Sequence, residues 1–384
     1  MDVLNFISWL KSKRQVTTVD ASQTLIPVGL KDARRGDGYI PGTISVEDFA
    51  NSLTPSGPVF SNDNTSYGSQ ALANVTTGEG NTAMGIQASL SNTIAQWNTA
   101  IGAFANKSNV FADGNAALGA YTLFNNTQEY NVAVGYSSLY TNTEGNYNVA
   151  VGGNSLFSNT NGYWNTAVGH NSLRNNTTGH RNVALGKESL YNNTTGEFNI
   201  AVGQNAMQNN QTGIRNVAIG PDSMKYGTNS IYNTAVGIDT LTNNNGESNV
   251  ALGQSACQFI TGNENIGIGA LALQNGYGNN NIAIGLQTFQ VLTTGSNNIG
   301  IGKQAMSICE TGSDNIAIGR TATSLNYSRC IVLGTAAQAT ANNQFVVGSS
   351  SYNAGTIATE ALTPTKSWTV KINGVDYKIP LQVA

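Results

Sequence analysis

Apolar and polar positions along residues 64–348 follow two periods at once. Over single residues they alternate in size. Over longer distance the phrase Asn-x-Ala-hydrophobic-Gly returns, as in Asn165-Thr166-Ala167-Val168-Gly169 and Asn182-Val183-Ala184-Leu185-Gly186. The closing glycines run from Gly68 through Gly85, Gly102 and Gly119 to Gly348, spaced 17 or 16 residues apart, then 15 and 14 at the end. Eighteen such glycines enclose seventeen units. A short fixed period over so long a stretch specifies a solenoid rather than a set of globular domains.

The columns specify which solenoid. One residue before each glycine stands a large apolar side chain: Met84, Ile101, Leu118, Val134, Val151, Val168 and so on to Val347. Two before it stands nearly always Ala or Gly, as at Ala83, Ala100, Ala117, Ala133, Ala150 and Ala167. Four after it stand Leu72, Leu123, Leu139, Leu156, Leu173, Leu190, Met207, Met224, Leu241 and Leu273. Adjacent residues of unlike size on opposite faces are a strand pattern. A 16- or 17-residue unit has room for two short strands and two turns, with Gly and the Asn-Asn-Thr-Thr-Gly segments supplying the turns through their tolerance of positive φ. The predicted fold is all-β: a parallel β-solenoid with coils of 14–17 residues over residues 61–350. Seventeen coils at about 4.8 Å each make a rod about 80 Å long.

So small a coil encloses about two large apolar side chains, a thin interior against roughly 1–2 kcal/mol of backbone entropy per ordered residue. The alanine column is therefore expected to form a close-packed interface between identical rods. The alternative is that alanine fills a narrow inner space.

Composition narrows the function. The 384-residue chain has 43 Gly, 10% charged residues and a net charge of −3, with many Val, Ile and Thr, which is not a disordered composition. The charge gives no reason to expect nucleic acid or an anionic membrane as partner. Cys257, Cys309 and Cys330 lack metal-ligand spacing and do not form a disulfide framework. The opening MDVLNFISWLKSKRQ places its basic residues after its apolar ones, unlike a secretory signal, and no run is long enough to span a membrane. Synthesis and folding in a cytoplasm are expected.

No nucleophile, zinc or phosphate-loop motif is present, so no catalytic residue, metal or cofactor is expected. Glu129, Glu144, Glu197, Glu247 and Glu264 are single turn residues, with no sign of the facing pair that glycoside hydrolysis uses. His170 and His180 lie in or beside turns and read as solvated. The column just before each coil's leading Asn is less bland: Trp97, Tyr130, Tyr147, Trp164, Arg181, Phe198, Arg215 and Tyr232. Stacked coils place these in a row. Such a row is either a glycan-binding strip or a packing ladder. From Ser248 onward the column is polar, so the row belongs to the N-terminal half of the rod.

The phrases NVAVGYSSL, NTAVGHNSL and NIAVGQNAM resemble the head repeats of trimeric autotransporter adhesins. That resemblance implies a left-handed parallel β-roll and a homotrimer. The coils here are longer, and the added residues fall in the Asn-Asn-Thr-Thr-Gly turn, which is then expected to project. Bacterial members of that family carry a signal peptide and a membrane-anchoring barrel, neither of which is read here. The pattern is similar to fibres and spikes of viruses, especially bacteriophages, assembled in the host cytoplasm and carried on the virion.

The ends do not repeat. Residues 1–60 suggest a short amphipathic helix through Leu4, Phe6, Ile7 and Leu10, a loop over ARRGDGYIPGT, and a capping box at Ser45 and Asp48. This region is expected either to dock on other virion proteins or to cap the solenoid. The Arg35-Gly36-Asp37 tripeptide carries no weight by itself. Residues 351–384 read as a hairpin cap, with Trp368, Val370 and Ile372 on one arm, Val375, Tyr377 and Ile379 on the other, and Asn373-Gly374 as the turn. The expected function is a trimeric virion fibre or spike, on head or tail, used for attachment to host-surface glycan. A bacterial surface adhesin is the alternative and a polysaccharide-degrading tailspike the third reading.

Overall fold

In a computed structural model, residues 63–243 and 246–351 are described in full, together with the backbone of strands Leu25–Leu30, Ile40–Ser45, Val59–Ser61, Lys366–Ile372 and Val375–Leu381. The core of the molecule is a parallel β-solenoid of about 17 residues per coil. Eighteen short strands, from Asn64–Tyr67 to Phe345–Val347, form one ladder in which each pairs with the strand of the coil before and the coil after. Register is strict: Thr166 lies opposite Val183, Ala167 opposite Ala184 and Val168 opposite Leu185. At the N-terminal edge Val59–Ser61 covers Asn64–Tyr67 as an antiparallel strand.

Each coil has one regular strand, not two. After the strand the chain passes through a run of turns in which the second and fourth residues past the glycine are left-handed, for example Asn171 (φ 59°) and Leu173 (φ 48°). A left-handed leucine costs roughly 1–2 kcal/mol. The alternation repeats because it aims successive N–H groups at opposite neighbours: Asn171 N–H donates back to Gly153 O and Leu173 N–H forward to Ser189 O, both at 3.0 Å. These bonds replace a second strand ladder. Among the described residues Phe259–Ile260 and Asn275–Gly276 pair as a second set of strands, and Ile214–Ile231 and Thr323–Gln338 form isolated parallel bridges.

The interior corrects the reading of the alanine column. Ala83, Ala100, Ala150 and Ala167 are fully buried inside the coil, while Met84, Ile101 and Val168, one residue on, face outward. The middle residue of a three-residue strand points one way and its flanks the other. It points at the leucine column, whose members Leu123 to Leu190 fill the lumen and leave room for a methyl group. Where the filler is larger the partner shrinks: Phe289 takes the leucine position and Gly300 the alanine position. A β-carbon on Gly300 would stand 2.8 Å from Phe289 Cε2. Alanine is a filler of inner space and is not exposed to a neighbouring rod.

The Asn-Asn-Thr-Thr-Gly turn does not project. Asn176 and Gly179 are buried, and Thr177, Thr178 and Gly179 all point their N–H groups at Thr194 O of the next coil, 3.0–3.2 Å away. None of these five residues is left-handed. Gly179 is required for close approach, because a β-carbon there would run into Gly196 O and the Asn176 side chain.

Asparagine is the second structural column. Asn182 donates its backbone N–H and side-chain Nδ2 to Asn165 Oδ1 (3.0 and 3.2 Å) and also donates Nδ2 to Gly196 O (2.8 Å). Its own Oδ1 accepts from Asn199 N–H at 3.0 Å. The pattern runs from Asn64 to Asn315, where Cys330 takes its place. A parallel ladder through Asn142, Asn159, Asn176, Asn193 and Asn210 links consecutive coils at 2.7–2.8 Å. Buried amides are thus satisfied by copies of themselves one coil away, as in stacked Asn ladders generally. The regularity fails where polar side chains enter the leucine column. Ser89 and Asn106 stand there, and Ser89 Oγ, Asn92 Oδ1 and both polar side-chain atoms of Asn106 are buried without a partner in the chain. Ser223 Oγ and Thr242 Oγ1 are likewise buried without a partner in the chain.

The helix expected near Leu4–Leu10 and the capping residue Asp48 lie outside the described residues. The ARRGDGYIPGT loop is corrected in part: Ile40–Ser45 is a strand, paired antiparallel with Leu25–Leu30. Lys366–Ile372 and Val375–Leu381 also pair antiparallel, with Ile372 opposite Val375; what their side chains cover lies outside the described residues. Among the described residues no helix is long and apolar enough to cross a membrane.

Candidate binding surface

Three columns define the outside of the rod. The first is the row read from the sequence. Trp97, Tyr130, Tyr147, Trp164, Arg181, Phe198, Arg215 and Tyr232 are all left-handed, with φ between 54° and 60°. That conformation turns each side chain out of the wall, and the aromatic members are exposed. Stacking along the rod follows. Tyr130 and Tyr147 lie 5.3 Å apart at 13°, and Tyr147 and Trp164 lie 6.5 Å apart at 41°. The Arg181 guanidinium sits 4.4 Å from the Trp164 ring and 5.1 Å from Phe198. Arg215 lies between Phe198 and Tyr232 and donates to Tyr232 Oη at 2.6 Å.

The stacking has a chemical consequence. In a ladder the flat faces are turned along the axis and cover one another. A sugar binds an aromatic face through its C–H surface. From Tyr130 to Tyr232 each ring has another ring or a guanidinium of the row beside it.

The second column was not legible as a set before the coils were stacked. Five residues after the glycine stand Lys107, Phe124, Tyr140, Phe157, Arg174 and Tyr191, all half-buried. Phe124 and Tyr140 stack at 5.0 Å and 4°, Tyr140 and Phe157 at 5.2 Å and 10°. Arg174 and Lys107 extend the stack by cation–π contact. Phe104 and Tyr121 join its N-terminal end. The same spacing that gave away the first row was the available signal.

The third column is the outward flank of the strands. Met84, Ile101, Leu118, Val168, Leu185, Ile219, Leu252, Ile268, Ile301 and Ile318 are exposed on one rail, with Val, Ile and Thr on the other. No charged residue stands at either flank from Thr65 to Val347.

Chemistry elsewhere is sparse. His170 is exposed, but His180 is not simply solvated: its ring stacks on Tyr163 at 4.6 Å and its Nε2 pairs with Glu197. Glu144 accepts from Asn161 at 2.6 Å. Among the described residues no group of three or more His, Cys, Asp or Glu is placed to hold a metal ion. The three cysteines are buried and unpaired, and burial pushes the Cys257 thiol up to about 12. No family model matches the chain. No curated protein matches it either.

Proposed function

We propose that the chain is the subunit of a trimeric fibre or spike carried on a virus particle, on the head or tail of a bacteriophage, and that the rod presents the particle to host-surface glycan. The apolar rails carry this reading. A stripe two side chains wide and about 80 Å long covers on the order of 800 Å². That exceeds the largest apolar patch of an ordinary monomer, about 300–600 Å², and equals what one partner gives to a stable interface. Its occupant must present apolar rungs at the same strand spacing along the whole rod. Copies of this chain, parallel and related by a closed rotation, do so. Three copies accord with the adhesin-like repeats.

Residues 1–60 are assigned to docking on other virion proteins and residues 351–384 to capping the rod. The exposed aromatic–arginine row favours a second reading in the same terms, a cell-surface glycan-binding adhesin. Mass spectrometry of purified particles, with immunogold localisation, distinguishes the two: the fibre is found on particles and an adhesin on cell envelopes. Sedimentation of the purified chain tests the trimer, and a stable folded monomer at micromolar concentration overturns it.

A further inference from the structure

One rung is missing from the aromatic row. Gly114 occupies the position that Trp97 holds in the coil before and Tyr130 in the coil after. Its φ of 66° is close to theirs, 57° each, so the backbone there is shaped for an outward side chain that the sequence withholds. Both neighbouring rings lean toward the N-terminal end of the rod. A β-carbon on Gly80 would stand 2.9 Å from Trp97 Cδ1, and one on Gly114 would stand 2.7 Å from Tyr130 Cδ1. Because the lean is the same, the two rings stay two coils apart, about 9.6 Å by strand spacing. A filled step in this row measures 5.3 Å between ring centroids. The space between Trp97 and Tyr130 is therefore the thickness of one further ring.

We propose that this gap is a binding slot for a single pyranose ring of a glycan, held between the C-terminal face of Trp97 and the N-terminal face of Tyr130. Between Tyr130 and Tyr232 each step of the row brings a ring or guanidinium beside the next; between Trp97 and Tyr130 the row supplies no side chain. Trp97 is 64% exposed, more than any other ring of the row. The exposed Phe111 and Ile94 stand three residues before Gly114 and Trp97 in the same two coils, extending the apolar surround. Gly114 lies under the Tyr130 ring, and Asp113 beside it supplies a carboxylate: Oδ1 accepts the Gln96 N–H at 2.7 Å. An apolar sandwich with a polar rim matches a sugar, whose C–H faces are apolar and whose hydroxyls ring the edge. The same two coils hold Ser89 and Asn106, polar residues in the leucine column with buried side-chain atoms that have no partner in the chain. Breaks in otherwise consistent local rules gather where a protein works rather than where it only stands. This assignment rests on the glycan-attachment reading but not on the virion or trimer assignments.

The test fills the slot. Gly114→Tyr supplies the absent rung on a backbone that already accepts tyrosine one coil away; Tyr130 swings outward to the tilt that Tyr147 has over it. The probes are cellohexaose, maltohexaose and chitohexaose, titrated against the intact chain with calorimetry as the readout for every variant and tryptophan fluorescence beside it for the parent. The expected result is saturable binding of at least one probe, weakened at least tenfold by Gly114→Tyr and by Trp97→Ala. The exposed-surface control Tyr277→Ala leaves it unchanged. Melting of Gly114→Tyr is expected at or above the parent's, which separates loss of the slot from loss of fold. Equal binding by Gly114→Tyr, no binding of any probe by the parent, or preference for free indole over all three sugars overturns the assignment. Sedimentation of the same samples reports the oligomer separately, so the slot and the trimer fail independently.

Discussion

Ala167 and Val168 are consecutive residues of one strand and lie on opposite sides of the coil wall: Ala167 is fully buried against the leucine column and Val168 is 36% exposed. The short side chain is therefore a constraint of the single coil, and the large one is available to a partner. These two roles give opposite expectations for substitution.

Ala167→Leu overpacks the lumen opposite Leu173 and is expected to cost roughly 1–3 kcal/mol. Urea denaturation checks this. The loss should be independent of protein concentration, because the clash lies within one chain. A variant as stable as the parent would place the alanine column outside the coil.

Val151→Lys with Ile219→Lys puts charges on the outward rail at two separated rungs. The coil is expected to keep its far-ultraviolet circular dichroism, since neither side chain points inward. Self-association should fall by at least tenfold, because an ammonium group buried between copies lacks a counter-charge on an uncharged stripe. Analytical ultracentrifugation reads the change; an unaltered assembly would move the interface elsewhere.

Asn182→Ala removes one rung of the buried amide ladder. It leaves the Asn199 N–H without its acceptor and Gly196 O without its side-chain donor. Unsatisfied buried groups cost about 1–3 kcal/mol each. A comparable loss at Asn148 and Asn216, which make the same bonds, is expected. Hydrogen exchange should quicken in the coils on both sides of the substituted rung and not in distant ones, as contacts in a solenoid are made between neighbours.

Cys257 takes a core position where other coils have leucine or methionine. Its thiol, pushed from 9.0 to about 12 by burial, stays neutral in the fold after the unfolded thiol has ionised. The raised value means that its contribution is intact below pH 9.0 and is lost as pH rises toward 12. The urea midpoint of the parent is thus expected to fall more steeply over that range than that of Cys257→Ala. Parallel curves for the two proteins would refute the assignment. The native thiol should also resist alkylation at pH 8.

The period, the parallel stacking and the row of Trp97 to Tyr232 were legible in the sequence, because each depends only on recurrence at a fixed spacing. A solenoid stacks identical positions whatever the path of a single coil. The inside and the outside of that coil were not legible. In Thr166-Ala167-Val168 all three residues suit a strand, so alternation allows Ala167 to face either way. Only the position of Leu173 across the lumen settles it, by leaving space for a methyl group. The turns misled for a related reason. Asn and Gly signal left-handed backbone when read locally, but here Asn176 and Gly179 are chosen by the next coil, for a buried amide bond and for close approach. The left-handed positions fall instead on Leu173 and Trp164, where hydrogen bonds between coils outweigh local preference. Recurrence is a property of the chain; which side of the wall a residue faces is decided by what lies across from it.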